Sequence, residues 1–165
     1  MSSMSMAQQV SGQSKSSSAC PKNRADVLDS VLFTIGILAV LRSKALKGKY
    51  IGGMITASHN PYMDNGLKLV EPMGEMLVSS WEKHATLLAN SQNAAEIKAN
   101  IETIIETEAI DMGSKANVVV GRDTRPSGDP LLWSFIDGVK AMNGNFVDIG
   151  IVTTPQLRKL ALLLK

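Results

Sequence analysis

Ser58 and His59 stand side by side in Ile55-Thr56-Ala57-Ser58-His59-Asn60-Pro61, and Lys68 follows Asp64-Asn65-Gly66-Leu67. A hydroxyl, an imidazole, an ammonium and the Asn60 amide gathered at one short polar loop suit phosphoryl chemistry. A phosphorylated serine is strongly anionic and needs cations and N–H donors around it. Acyl transfer fits less well, because Thr56 and Asn60 replace the glycines of a Gly-x-Ser-x-Gly elbow. Adjacent residues of an extended segment also point to opposite sides, so His59 is badly placed to deprotonate Ser58. Composition alone also allows a plainer reading, a polar hairpin with a surface serine.

A second charged cluster is Gly121-Arg122-Asp123-Thr124-Arg125-Pro126-Ser127-Gly128. Asn117 to Val120 reads as a buried strand, Leu131 to Met142 as a helix and Asn145 to Ile149 as a strand, with Gly144 breaking the helix. Such a strand–helix–strand run of about 30 residues is a βαβ unit with parallel strands. The Arg122–Arg125 loop then falls at the carboxyl end of a strand and ahead of a helix, where open α/β sheets bind ligands. Two readings stay open. The charged side chains pair with one another in a tight loop, or the arginines supply positive field to a phosphate.

The serine loop needs its own supports. Tyr50–Ile55 and Leu67–Val70 are the flanking strands, and Asn60-Pro61 and Asn65-Gly66 are turn signals between them. Asp26 to Ser43 reads as a helix capped by Asp26, with Val27, Val31, Leu32, Ile35, Leu38 and Leu41 at helical spacing. Its nearly continuous apolar character implies burial between layers. Arg42, Lys44, Lys47 and Lys49 read as a solvated basic connector. Ser79 and Glu82 have the spacing of a capping box, and Trp81, Ala85 and Leu88 share a face of the helix that follows. His84 reads as a surface or edge histidine. Ala94 to Met112 is an amphipathic helix laid on a sheet, with Glu96, Glu102, Glu106 and Glu108 on its solvated side. Thr153–Leu157 reads as a loop after a strand, and Arg158 to Lys165 as the start of an apolar helix.

A chain of 165 residues, 44% of them apolar, holds one domain with a real core. A net charge of +2 and few aromatics speak against nucleic acid. The longest apolar run, Val31 to Leu41, falls well short of the roughly 20 residues that span a bilayer, so no membrane association is expected. A single cysteine, Cys20, fits a reducing cytoplasm. Residues 1–23, rich in Ser, Gln and Met, are expected to be a disordered N-terminal segment.

Taken together, these motifs resemble the α-D-phosphohexomutase superfamily. Thr56-Ala57-Ser58-His59-Asn60-Pro61 with Asp64-Asn65-Gly66-x-Lys68 is similar to its phosphoserine loop, and Gly121 to Gly128 to another of its motifs. Placing the serine loop first resembles the branch that acts on N-acetylglucosamine phosphates. Gly74-Glu75-Met76-Leu77, Ser80-Trp81-Glu82 and Thr153-Thr154-Pro155-Gln156-Leu157 are similar to the same branch. The resemblance runs from about Arg24 to Leu157. It implies, over residues 24–165, the α/β first domain of that superfamily, a mixed sheet sandwiched between helices. The first strand of the pattern is expected to be missing, because its Gly-Thr-Ala-Gly-Phe-Arg motif does not precede Asp26.

The resemblance also implies roles. Ser58 would carry the phosphoryl group and, through its phosphate, hold Mg²⁺. His59 and Lys68 would lie beside it, Lys68 as the proton shuttle for the sugar hydroxyl. Asn60 would shape the loop, Arg122 and Arg125 would add positive field, and Asp123 would brace them. The partners would be a phosphosugar and its bisphosphate intermediate, on the route to UDP-N-acetylglucosamine. Two departures stand out: Arg158 occupies the place of a histidine, and no Asp-x-Asp-x-Asp metal loop occurs. The chain is therefore expected to need the remaining mutase domains for turnover. The alternative is a non-enzymatic remnant that binds phosphosugar weakly or associates with another subunit.

Overall fold

The computed structural model describes residues 24–56 and 66–164. The readings of residues 1–23 and of Ser58, His59 and Asn60 lie outside the described residues. Among the described residues nine elements follow in order: α1 (Arg24–Ala45), β1 (Tyr50–Ile55), β2 (Leu67–Val70), α2 (Ser79–Ala89), α3 (Ala94–Thr107), β3 (Asn117–Arg122), α4 (Gly128–Ala141), β4 (Asn145–Ile151) and α5 (Thr154–Leu163). The strands form one sheet in the order β2-β1-β3-β4, antiparallel between β2 and β1 and parallel elsewhere. Helices lie on both faces, as the α/β reading requires.

Side-chain alternation divides the core between those faces. Ile51, Ile55, Leu67, Leu69, Val118 and Val120 join the larger cluster under α1 and α4. Met54, Val70 and Val119 point the other way, against Leu157 and Ala161 of α5. Helix α1 is buried from Val31 through Leu41 apart from Phe33, which is partly exposed. Each fully buried Leu or Ile there contributes about 1.5–3 kcal/mol relative to exposure. Its closest neighbour is α4, and glycines make the approach possible. A Cβ on Gly36 would stand 2.2 Å from the Phe135 carbonyl oxygen, and one on Gly138 would stand 2.0 Å from that of Phe33.

Several local expectations give way to tertiary contacts. Helix α1 includes Asp26 rather than being capped by it, and runs on to Ala45. Lys44 is therefore no part of a solvated connector: it is buried and donates to the carbonyls of Met112 (2.9 Å) and Ser114 (2.6 Å). Ser79 opens α2 but does not cap it. Val78 is the N-cap, and its N–H points to the Glu71 carboxylate at 3.5 Å. Helix α3 stops at Thr107 because Ala109 turns left-handed (φ 49°) and sends Ile110 into the core. It packs chiefly on α2 rather than on the sheet. Asn143, not Gly144, takes the left-handed turn after α4 (φ 54°). Thr153–Leu157 is the first turn of α5, where the Gln156 side chain accepts the Thr153 N–H at 2.8 Å. Arg158 donates to the Gly74 carbonyl and ties α5 to the turn after β2.

His84 is buried too, edge-on to Trp81 (ring centroids 5.4 Å apart) and 2.7 Å from Glu108. Glu108 thereby leaves the solvated face assigned to it.

Candidate active site at the carboxyl ends of β1 and β3

Strands β1 and β3 run parallel with Ile55 opposite Arg122, so the serine loop and the Gly-Arg-Asp loop leave the same end of the sheet. One further backbone bond prolongs the ladder past the strands: the Asp123 N–H donates to the Ile55 carbonyl at 3.0 Å. Across the hairpin, the Thr56 N–H donates to the Gly66 carbonyl at 3.0 Å. Thr56 is buried, and its hydroxyl donates to Asp123 Oδ2 at 3.0 Å. The residue two positions before Ser58 is thus bonded to the second motif.

Asp123 also holds Arg125. Its Oδ1 accepts the Arg125 N–H at 3.1 Å, and its Oδ2 lies 3.3 Å from Arg125 Nε. An aspartate accepting from the backbone two residues on is a common loop former. Here it fixes the arginine as well. Of the two open readings, mutual pairing holds for Asp123 and Arg125. Arg122 pairs elsewhere, with Asp129 in the first turn of α4 at 2.6 Å. That aspartate had no role in the sequence reading.

Register assigns the remaining residues to faces. Lys68 is half-buried and lies directly opposite Met54, on the α5 face of the sheet. Thr56, two residues beyond Met54, continues that face. Arg122 alternates with Val120 onto the other face, where its side chain lies against Gly128. The structure therefore brings Thr56, Asp123 and Arg125 together at one strand end, sets Lys68 on the same face as Thr56, and separates Arg122 from Lys68. In the sequence Thr56 stands only as a missing elbow glycine and as the first residue of the serine motif, with no role of its own. The signal that could have marked it is a hydroxyl at the end of an otherwise apolar buried strand.

Among the described residues no group of three His, Cys, Asp or Glu side chains could hold a metal. The Asp123 carboxylate at this strand end is already shared by Thr56 and Arg125. The described residues do not by themselves fit Mg²⁺. No helix among them is long and apolar enough to cross a membrane.

Comparison with known proteins is specific. The family model for phosphoglucomutase/phosphomannomutase, alpha/beta/alpha domain I, matches residues 25–96 and 79–165. Human phosphoacetylglucosamine mutase is 54% identical over 136 residues, which are 82% of this chain and 25% of that protein. A crystal structure of N-acetylglucosamine-phosphate mutase in its substrate complex superposes with a TM-score of 0.80 at 49% identity, covering 83% of this chain and 26% of that one. The Aspergillus fumigatus N-acetylphosphoglucosamine mutase, in complex with GlcNAc-6P and magnesium, gives 0.79 at 42% identity, covering 85% and 26%. The chain spans about a quarter of the length of the curated relatives it matches.

Proposed function

Since this chain belongs to the phosphoglucomutase/phosphomannomutase family through its alpha/beta/alpha domain I, we propose that it is the phosphoserine-bearing part of an N-acetylglucosamine-phosphate mutase. The reaction is the interconversion of N-acetylglucosamine 6-phosphate and 1-phosphate, feeding UDP-N-acetylglucosamine synthesis in the cytoplasm. The phosphoryl group passes from Ser58 Oγ to the free hydroxyl of the sugar phosphate. The Ser58 O–P bond breaks, a sugar O–P bond forms, and the hydroxyl proton is taken by Lys68. The resulting bisphosphate reorients and returns its other phosphoryl group to Ser58. In such a transfer positioning and charge neutralisation supply most of the catalysis. His59 and Asn60 shape the surroundings of Ser58, while Arg125, held by Asp123, contributes positive field; Arg122, paired with Asp129 on the other face, is left out of this role.

The observation that carries this reading is the Thr56–Asp123 bond, which joins the serine motif to the Gly-Arg-Asp motif at the ligand-binding end of the sheet. Mg²⁺ on the Ser58 phosphate would offset its charge, and its other ligands would come from outside the described residues. Without an Asp-x-Asp-x-Asp loop in the sequence, the chain by itself is expected to take up a phosphoryl group but not to complete turnover.

The test is incubation with glucose 1,6-bisphosphate and Mg²⁺, followed by intact mass measurement and peptide mapping. The expected result is one added phosphoryl group on Ser58, absent from Ser58→Ala. An unmodified wild-type chain, or modification that persists in Ser58→Ala, overturns the reading.

A further inference from the structure

Resting on the phosphoserine reading, we propose that Thr56 is a positioning residue for phosphoryl transfer at Ser58, acting through the Asp123 carboxylate that it shares with Arg125. Thr56 is only 5% exposed, and a hydroxyl so placed costs stability unless it is hydrogen-bonded. Its partner is charged, which makes the bond a strong one. The backbone around it is held as well. The Ile55 carbonyl accepts from Asp123, and the Thr56 N–H donates to Gly66, each at 3.0 Å.

The chain is therefore fixed by backbone and side chain at the last residue before Ala57-Ser58. The same carboxylate accepts the Arg125 N–H at 3.1 Å and faces Arg125 Nε at 3.3 Å. One carboxylate thus ties Thr56, the residue at which the strand gives way to the serine motif, to the Arg125 guanidinium. Phosphoryl transfer needs its donor and acceptor oxygens in line, and a shift of about 1 Å can cost on the order of a hundredfold in rate. An apolar β-branched residue would suit the buried strand end equally well. The hydroxyl is what the carboxylate requires.

Thr56→Val keeps the shape and removes the donor, whereas Thr56→Ser keeps the donor. In the 165-residue chain, the maximal rate of Ser58 phosphorylation by glucose 1,6-bisphosphate should fall about tenfold or more in Thr56→Val. The half-saturating bisphosphate concentration should change less than about threefold, and Thr56→Ser should restore the rate. The Thr56 and Asp123 amide protons should exchange about tenfold faster in Thr56→Val, with those of Val118–Val120 unchanged. Asp123→Asn, which keeps the volume, should reproduce the rate loss if Thr56→Val does not fold.

A Thr56→Val chain that is less stable but is phosphorylated at the wild-type maximal rate per folded molecule overturns this proposal alone. So does a rate loss that Thr56→Ser fails to restore. A wild-type chain that takes up no phosphoryl group removes the phosphoserine reading, and this proposal with it.

Discussion

Arg42 and Arg125 each clasp a carboxylate, at opposite ends of the same sheet. Arg42 meets Glu71 just past the end of antiparallel β2, beside the amino-terminal half of β1; Arg125 meets Asp123 at the carboxyl end of β3. The first pair is closed. Arg42 Nε and Nη2 contact the two Glu71 oxygens at 2.9 and 3.2 Å, and the guanidinium lies 4.8 Å from the Trp81 ring centroid. Exposure of the two side chains is 13% and 7%. The second pair is half-open at 18% and 23%, and its carboxylate is divided among Arg125 and the Thr56 hydroxyl. Identical chemistry serves two ends here. A sealed pair joins α1 to the sheet, whereas a divided one ties the end of β1 to the loop after β3, where the positioning role is proposed.

The sharpest way to break that contrast is to open the sealed pair. Arg42→Met leaves the Glu71 charge buried without its partner, which should cost about 3–5 kcal/mol in urea unfolding. Adding Glu71→Leu should recover most of that loss, because a buried pair replaced by apolar groups is often neutral or better. Phosphorylation of Ser58 per folded molecule should stay unchanged throughout. A rate loss in the Arg42→Met, Glu71→Leu chain would mean that the two ends are not separable. The complementary substitution is Arg125→Lys. It keeps the charge but loses the planar donor fork, so the phosphorylation rate should fall about tenfold while stability changes by about 1 kcal/mol or less. Equal effects on rate and stability would dissolve the distinction.

What the sequence disclosed follows from the range of each interaction. The burial of Val31–Leu41, the β1–β2 hairpin and the β3–α4–β4 unit are written in local periodicity, and all three stand in the structure. The partners of Arg42 and Thr56 lie 29 and 67 positions away, and no spacing rule reaches them. The same holds for Lys44, whose acceptors are 68 and 70 positions off and which local composition makes look solvated. The expected capping box at Ser79 and Glu82 lost to Glu71, a carboxylate already placed by Arg42 next to the Val78 N–H. At the site, the end of β1 was legible in the sequence but that of β3 was not. Strand β3 reaches Arg122, two residues past its expected end, and only that extra length turns Arg122 away from Lys68.

The smallest expected effect tests whether the sealed end is also electrostatic beyond its arginine. Trp81, on which Arg42 lies, meets His84 edge-on, and His84 Nε2 stands 2.7 Å from Glu108 Oε1. The hydrogen bond with His84 chiefly holds the Glu108 carboxyl below its ordinary 4.5; burial opposes it, and the charges of His84, Lys83 and Arg42 assist. A carboxylate depressed in the folded state adds stability that is complete above its unfolded value and is lost as pH falls through the folded one. Glu108→Gln should therefore have a lower urea midpoint than wild type near neutrality, and the gap should close between about pH 5 and pH 3. A gap that persists unchanged into acid would assign the contact to shape and neutral hydrogen bonding instead. Ser58 phosphorylation should not follow this titration, since Glu108 belongs to the cluster built on Trp81 and Arg42 and shares no contact with Asp123.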